Sequence, residues 1–203
     1  GLLGLSFLVC GIWAWRARAG PDITVFVIYT VGAAIHWGGA ISVNNPGLEF
    51  SLFFVYLAFS VVADTALLHL ALIYPNKPPL SKRALIALYT LGALTLSIAP
   101  FAGLASQTVL APLVGVILLI ANLFSLAAGI LFLVTFWRSD ADTRRTYKLP
   151  LVVIALFGTF LVSSLGVEGV LLPHSDAWNL LNGLIPIAIA YALISAPRLK
   201  PGN

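Results

Sequence analysis

Asp64, His36 and Asn122 lie deep inside long apolar runs, where ionisable and amide side chains are rare and mark proton, ion or ligand sites by default. Asp64 stands about 11 residues before Pro75, roughly 16 Å from that end of its run, and His36 stands about 13 residues, roughly 20 Å, from the same end of the preceding run. On two antiparallel helices these depths are similar. A His36–Asp64 pair could then work as a proton- or ligand-sensitive switch, or could be a buried polar pair that only fixes packing. Trp37 could wall a pocket beside His36. Asn122, in the middle of its run, could hydrogen-bond across a bundle for about 1 kcal/mol, which makes it glue rather than ligand. Glu168 lies near the far end of its run, with Asp176, His174 and Glu49 in nearby loops. Together they could line an acidic outer vestibule, or be ordinary groups solvated at an interface.

His69 follows Asp64 by five residues and points away from it on a 3.6-residue helix. Its plain reading is a histidine bonded to a neighbouring helix or loop. A haem held by His36 and His69 is disfavoured, because their depths differ by roughly 10 Å. No cysteine and histidine spacing of a metal site is present. The single Cys10 sits in an apolar segment, so no disulfide framework exists and a small buried hydrophobe is expected. No nucleophile–base pair or phosphate loop is visible, so the chain reads as non-enzymatic, with its cofactors left unknown.

The elements that must position these groups are membrane spans. Of 203 residues, 60% are hydrophobic and 9% charged, against about 25% charged in soluble domains. The net charge of +4 does not point to nucleic acid, because the basic residues sit in short loops between apolar runs. The expected fold is all-α, a polytopic membrane protein forming one seven-transmembrane-helix domain over residues 1–203. Its helices are expected near 1–15, 23–43, 50–74, 84–104, 109–137, 149–172 and 178–196. The runs are continuously apolar rather than alternating, so a β-barrel is not indicated. The first run is short for a span and no methionine opens the chain, which reads as a processed or excerpted sequence.

Charge orients these runs. Arg16 and Arg18 follow the first; Lys77, Lys82 and Arg83 the third; Arg138, Arg144, Arg145 and Lys148 the fifth; Arg198 and Lys200 the seventh. That is every lysine and arginine, and all share one side if seven runs alternate. The positive-inside rule then puts the C-terminus in the cytoplasm and the N-terminus outside. The organism is open, but a bacterial inner membrane is expected. The basic rim suits anionic lipid head groups. Pro186 interrupts the seventh run, frees the carbonyl of Asn182, and is expected to kink the helix near its middle as a candidate hinge. Gly32 and other small residues permit close helix approach, and most tryptophans fall near span ends as an interface belt.

Two stretches carry a resemblance. The ending His69-Leu-Ala-Leu-Ile-Tyr-Pro75, followed by a basic loop, resembles the histidine–apolar–aromatic–proline ending in the multi-helix sensor regions of bacterial sensor histidine kinases. The run from Asn182 through Pro186 and Ala190-Tyr-Ala192 to Leu193 resembles the last membrane helix of those regions. The resemblance implies a two-component sensor that passes a signal to a cytoplasmic output domain or partner protein. The chain departs from the pattern after Lys200, where no phosphoacceptor or ATP-binding domain follows; either an output domain is left out, or this is a stand-alone relative. The alternatives are a non-catalytic integral subunit of a respiratory or photosynthetic complex, and a small transporter or channel. Membrane lipids are the expected surroundings, with a homodimer or larger membrane complex as the assembly. For a sensor, the acidic groups point to ligand entry from outside or from the lipid, into a cleft among the second, third, sixth and seventh spans.

Overall fold

The computed structural model describes residues 1–38, 45–75, 77–102, 107–167 and 176–197, with backbone alone at 102, 107, 160, 162–167 and 176–179. All regular structure among them is helical: α1 Leu2–Ala17, α2 Pro21–Trp37, α3 Pro46–Ile73, α4 Lys82–Ala102, α5 Gln107–Arg138, α6 Ala141–Thr146, α7 Leu149–Val167, a 3-10 segment Asp176–Gly183 and α8 Leu184–Ser195.

Among the described residues, three helical stretches are long and apolar enough to cross a membrane, Pro46–Ile73, Lys82–Phe101 and Thr108–Arg138. At 28 and 32 residues, α3 and α5 reach roughly 42 and 48 Å, more than the roughly 30 Å of a hydrocarbon core. Helices α1 and α8 are apolar but shorter, at 16 and 12 residues. The outer faces of α4 and α5 expose Ile86, Leu94, Leu119, Leu123 and Leu126. Such a surface suits lipid and would be a liability in water.

Packing follows a ring. Helix α3 packs on α2, α2 on α1, α1 on α8, α8 on α7, α7 on α5, and α5 returns to α3; α4 lies outside the ring, mainly against α3. Helix α3 serves two cores. Phe54, Leu57 and Val61 join Ala99 of α4 with Leu110, Ile117 and Ala121 of α5. Beyond them, Ala66, Leu67 and Leu70 join the larger core built with α1, α2, α5, α7 and α8. Asp64 falls where one core gives way to the other.

Several boundaries differ from those read off the apolar runs, each for a local reason. Helix α3 begins at Pro46 rather than near 50, because the Asn45 side chain accepts from the Leu48 amide at 3.1 Å and Pro46 takes the first helical position. The 138–148 loop contains α6, which the hydrophobic pattern does not reveal. Asp140 caps it by accepting from the Thr143 amide at 2.7 Å, and that bond holds its exposed carboxyl below the usual aspartate range. Pro186 does not lie in the middle of an α-helix. The α-helix starts at Leu184, so the proline lies in its first turn, where no amide hydrogen is required. The residues before it wind as a 3-10 helix, and the two pieces together reach roughly 34 Å. The expected helix ends at 43, 104 and 172 fall outside the described residues, as do Glu168, His174, Arg198 and Lys200.

Candidate functional site

A small polar group lies mid-bundle around Asp64. Ser125 Oγ of α5 donates to Asp64 Oδ1 at 2.5 Å. Tyr29 of α2 lies within electrostatic reach of both Asp64 and Cys10. Thr65, fully buried next in sequence, has no hydrogen-bond partner for its hydroxyl among the described residues. His36 is not brought to this group. It occupies the exposed last turn of α2, edge-to-face on Trp37 at 5.0 Å between ring centroids. The register explains why. Gly32 meets α3 at Phe59 and Ala63, so the α2 residue beside Asp64 is Tyr29, and His36 lies a helical turn beyond Gly32 in the other direction. Asn122 is exposed on the outward face of α5 instead of reaching across the bundle.

Asparagine at position 64 should still accept the Ser125 hydroxyl, so Asp64→Asn is expected to hold stability to within about 1 kcal/mol, whereas Ser125→Ala strips the carboxyl of its donor and should cost about 1–3 kcal/mol. Thermal unfolding in detergent compares the two. Equal melting temperatures for both variants would contradict this account of the pair.

A larger feature lies at the basic end. A half-open cavity of about 720 Å³ is bounded by the α1–α2 loop, the last turn of α3, the α3–α4 loop, Tyr147 before α7, and Ala196 after α8. Arg18 ties two of these walls. Its Nη1 donates to the carbonyls of Leu193 at 2.7 Å and Ala196 at 3.3 Å, and its Nη2 pairs with Asp22 at 3.3 Å. The last carbonyls of a helix have no partner within it, so the guanidinium completes the end of α8. The Tyr74 hydroxyl donates to the Tyr147 carbonyl at 2.7 Å, joining α3 to α7. Lys77 Nζ donates to the Ala71 carbonyl at 3.2 Å and to Thr135 Oγ1 at 3.0 Å, joining the α3–α4 loop to α5. His69 shares a hydrogen bond with the Tyr89 hydroxyl of α4 at 3.2 Å, the neighbour-helix bonding expected of it, and its ring also borders the cavity. Of the other basic candidates, Lys82, Arg83 and Arg145 are exposed and Lys148 half-buried. Arg144 lies over the Phe136 ring at 4.8 Å and donates to the Ser139 and Trp137 carbonyls.

No protein-family model matches this chain, and no curated protein and no solved structure matches it. Its geometry therefore carries the functional argument.

Burial pulls the Lys77 ammonium below its ordinary pKa of 10.5. The unfolded chain then binds that proton more tightly, so stability should rise with pH between the folded pKa and about 10.5. Lys77→Met should flatten this rise, read as melting temperature against pH for wild type minus variant. A variant curve parallel to wild type would remove Lys77 as the cause.

The sequence alone does not mark Arg18 as a site residue, nor Asp22, Tyr74, Thr135 and Tyr147. One signal was present: Arg18 and Asp22 stand four apart across Gly20-Pro21, the start of α2. The other partners are 58 to 178 residues distant in sequence, and no local pattern announces them. The cavity also opens at the basic end, opposite to the outer cleft expected from the acidic groups, of which Glu168 lies outside the described residues.

Proposed function

We propose that the chain is a seven-helix membrane sensor module, with the basic end in the cytoplasm, that passes occupancy of the basic-end cavity to a cytoplasmic output domain or partner protein. One observation carries the reading. The cavity wall includes Ala196, and Arg18, which also lines it, holds the carbonyls at the end of α8. A ligand that moved Arg18 would change the hold on the last helix. It would do so in proportion to its differential affinity for the two arrangements. The charge pattern supports the orientation, since Arg16 in the last turn of α1 and the loops bearing Arg18 and Lys77 gather around one cavity. The resemblance of the His69–Pro75 and Asn182–Leu193 stretches to sensor histidine kinases agrees with it. On this reading the protein itself carries no catalysis, and the lipid of a bacterial inner membrane surrounds it.

A second reading, an integral subunit of a larger complex, draws on Asn122, whose amide is exposed midway along apolar α5 and would gain from a partner helix. Copurification separates the two. A sensor should emerge alone or as a homodimer, and a subunit with stoichiometric companions. Topology is tested with reporters. A fusion after Asn203 should report from the cytoplasm and an insertion at residues 45–47 from outside. Either result on the opposite side would refute the seven-span arrangement.

A further inference from the structure

We propose that the basic-end cavity binds a phosphate-bearing amphiphile, with its anionic head between Arg16, Arg18 and Lys77 and its apolar part on the wall formed by Val25, Ile73 and Leu85. The inference deepens the sensor reading and rests on its membrane placement. At about 720 Å³ the cavity has the size of a small-molecule site. Among the described residues its ionised lining is three cations, Arg16, Arg18 and Lys77, against the single carboxylate of Asp22, a surplus of two positive charges. Asp22 is occupied by Arg18.

Among the described residues, donors remain for a ligand. A lysine ammonium has three hydrogens, and Lys77 places two, on Ala71 and Thr135. A guanidinium has five in a planar fork, and Arg18 places three, on Leu193, Ala196 and Asp22. Arg16 is exposed and forms no hydrogen bond or ion pair with the described residues. A phosphate offers several acceptor oxygens and is matched by such a fork. Most of the wall is apolar, and Trp15, exposed at the rim, has the amphipathic ring found at head-group level. A wholly polar anion would leave that wall wet, while a neutral lipid would leave the surplus positive charge without a counter-charge. An anion with an apolar chain satisfies both.

The same chemistry could come from a membrane phospholipid or from a soluble phosphate anion, and the test separates these sources. The purified chain in a neutral detergent is titrated with short-chain phosphatidylglycerol, a short-chain diacylglycerol that lacks the phosphate, and inorganic phosphate, with binding read by native mass spectrometry. Phosphatidylglycerol should bind saturably and the diacylglycerol should not compete. Displacement by inorganic phosphate would assign the site to soluble phosphates as well; its failure would assign it to lipid. Arg16→Gln should weaken binding about tenfold, the value of one charge-assisted bond. Lys82→Gln with Arg83→Gln, which removes surface charge outside the cavity, should leave binding within about twofold. Arg16 is exposed, so its variant should fold; an unchanged melting temperature verifies this. The proposal is overturned if no probe saturates, if the Lys82 and Arg83 changes weaken binding as much as Arg16→Gln, or if Arg16→Gln binds as wild type. Saturable binding without any effect on the end of α8 would retain the site and reject the sensor reading.

Discussion

Gly32→Leu should unfold the bundle or lower its melting temperature by more than any other single change considered. A Cβ at Gly32 would stand 2.8 Å from the Phe59 carbonyl oxygen and 3.2 Å from both the amide nitrogen and the Cβ of Ala63. Two of these are backbone atoms of α3, which cannot swing aside as a flexible side chain can. Alanine alone forces the helices apart and should cost about 1–3 kcal/mol, and leucine adds three more carbons to the same space. The damage spreads, because the α2–α3 contact also sets which α2 side chain lies beside Asp64. Gly115→Ala supplies the contrast. Nothing lies within 4 Å of a Cβ there, so the gain in helix propensity should leave stability unchanged or raised by up to about 1 kcal/mol. Melting curves in one detergent decide the matter. A Gly32→Leu protein that melts with wild type would mean that α2 and α3 are not in this contact.

Arg18→Met should produce the second largest loss, about 3 kcal/mol. Methionine keeps much of the apolar stem but removes both bonds to the end of α8 and leaves Asp22 without its cation. The side chains of Arg18 and Asp22 are 12% and 17% exposed, so water replaces little of what is lost. Arg18→Lys should recover only part, because a point charge cannot meet two carbonyls and a carboxylate in one plane. Adding Asp22→Asn to Arg18→Met should restore about 1–2 kcal/mol, if the stranded carboxylate is part of the penalty. A wild-type melting temperature for Arg18→Met would show that the α1–α2 loop does not secure the last helix.

The helical skeleton was legible because apolar runs and basic loops are written locally. Even so, α6 escaped notice: its signal is polar, a capping aspartate before Ala141-Asp-Thr, and a search for hydrophobic runs passes over it. Pro186 misled for a related reason. A proline inside an apolar run reads as a kink, and the preceding 3-10 turn that moves it to the start of α8 leaves little trace in hydrophobicity. Depth counting placed His36 beside Asp64, whereas the contact at Gly32 fixes the actual register. That contact depends on which faces of α2 and α3 meet, a tertiary property. The cavity was the least legible part. His69 and Lys77 could be singled out, but Arg18, Tyr74 and Tyr147 matter through partners on distant helices.

The bridge from Arg18 to Leu193 and Ala196 spans 175 and 178 residues. A chain made from its N-terminus exposes Arg18 long before α8 exists. At about 5–20 residues per second, the guanidinium waits roughly 10–35 s for its carbonyls. Throughout that interval α1 and α2 have only each other, and later α3, to pack against, and the ring remains open beside α1. Any factor that guards nascent membrane helices would find a long-lived substrate there, and a ribosome pause at any codon between those of Arg18 and Leu193 would lengthen that exposure by its full duration.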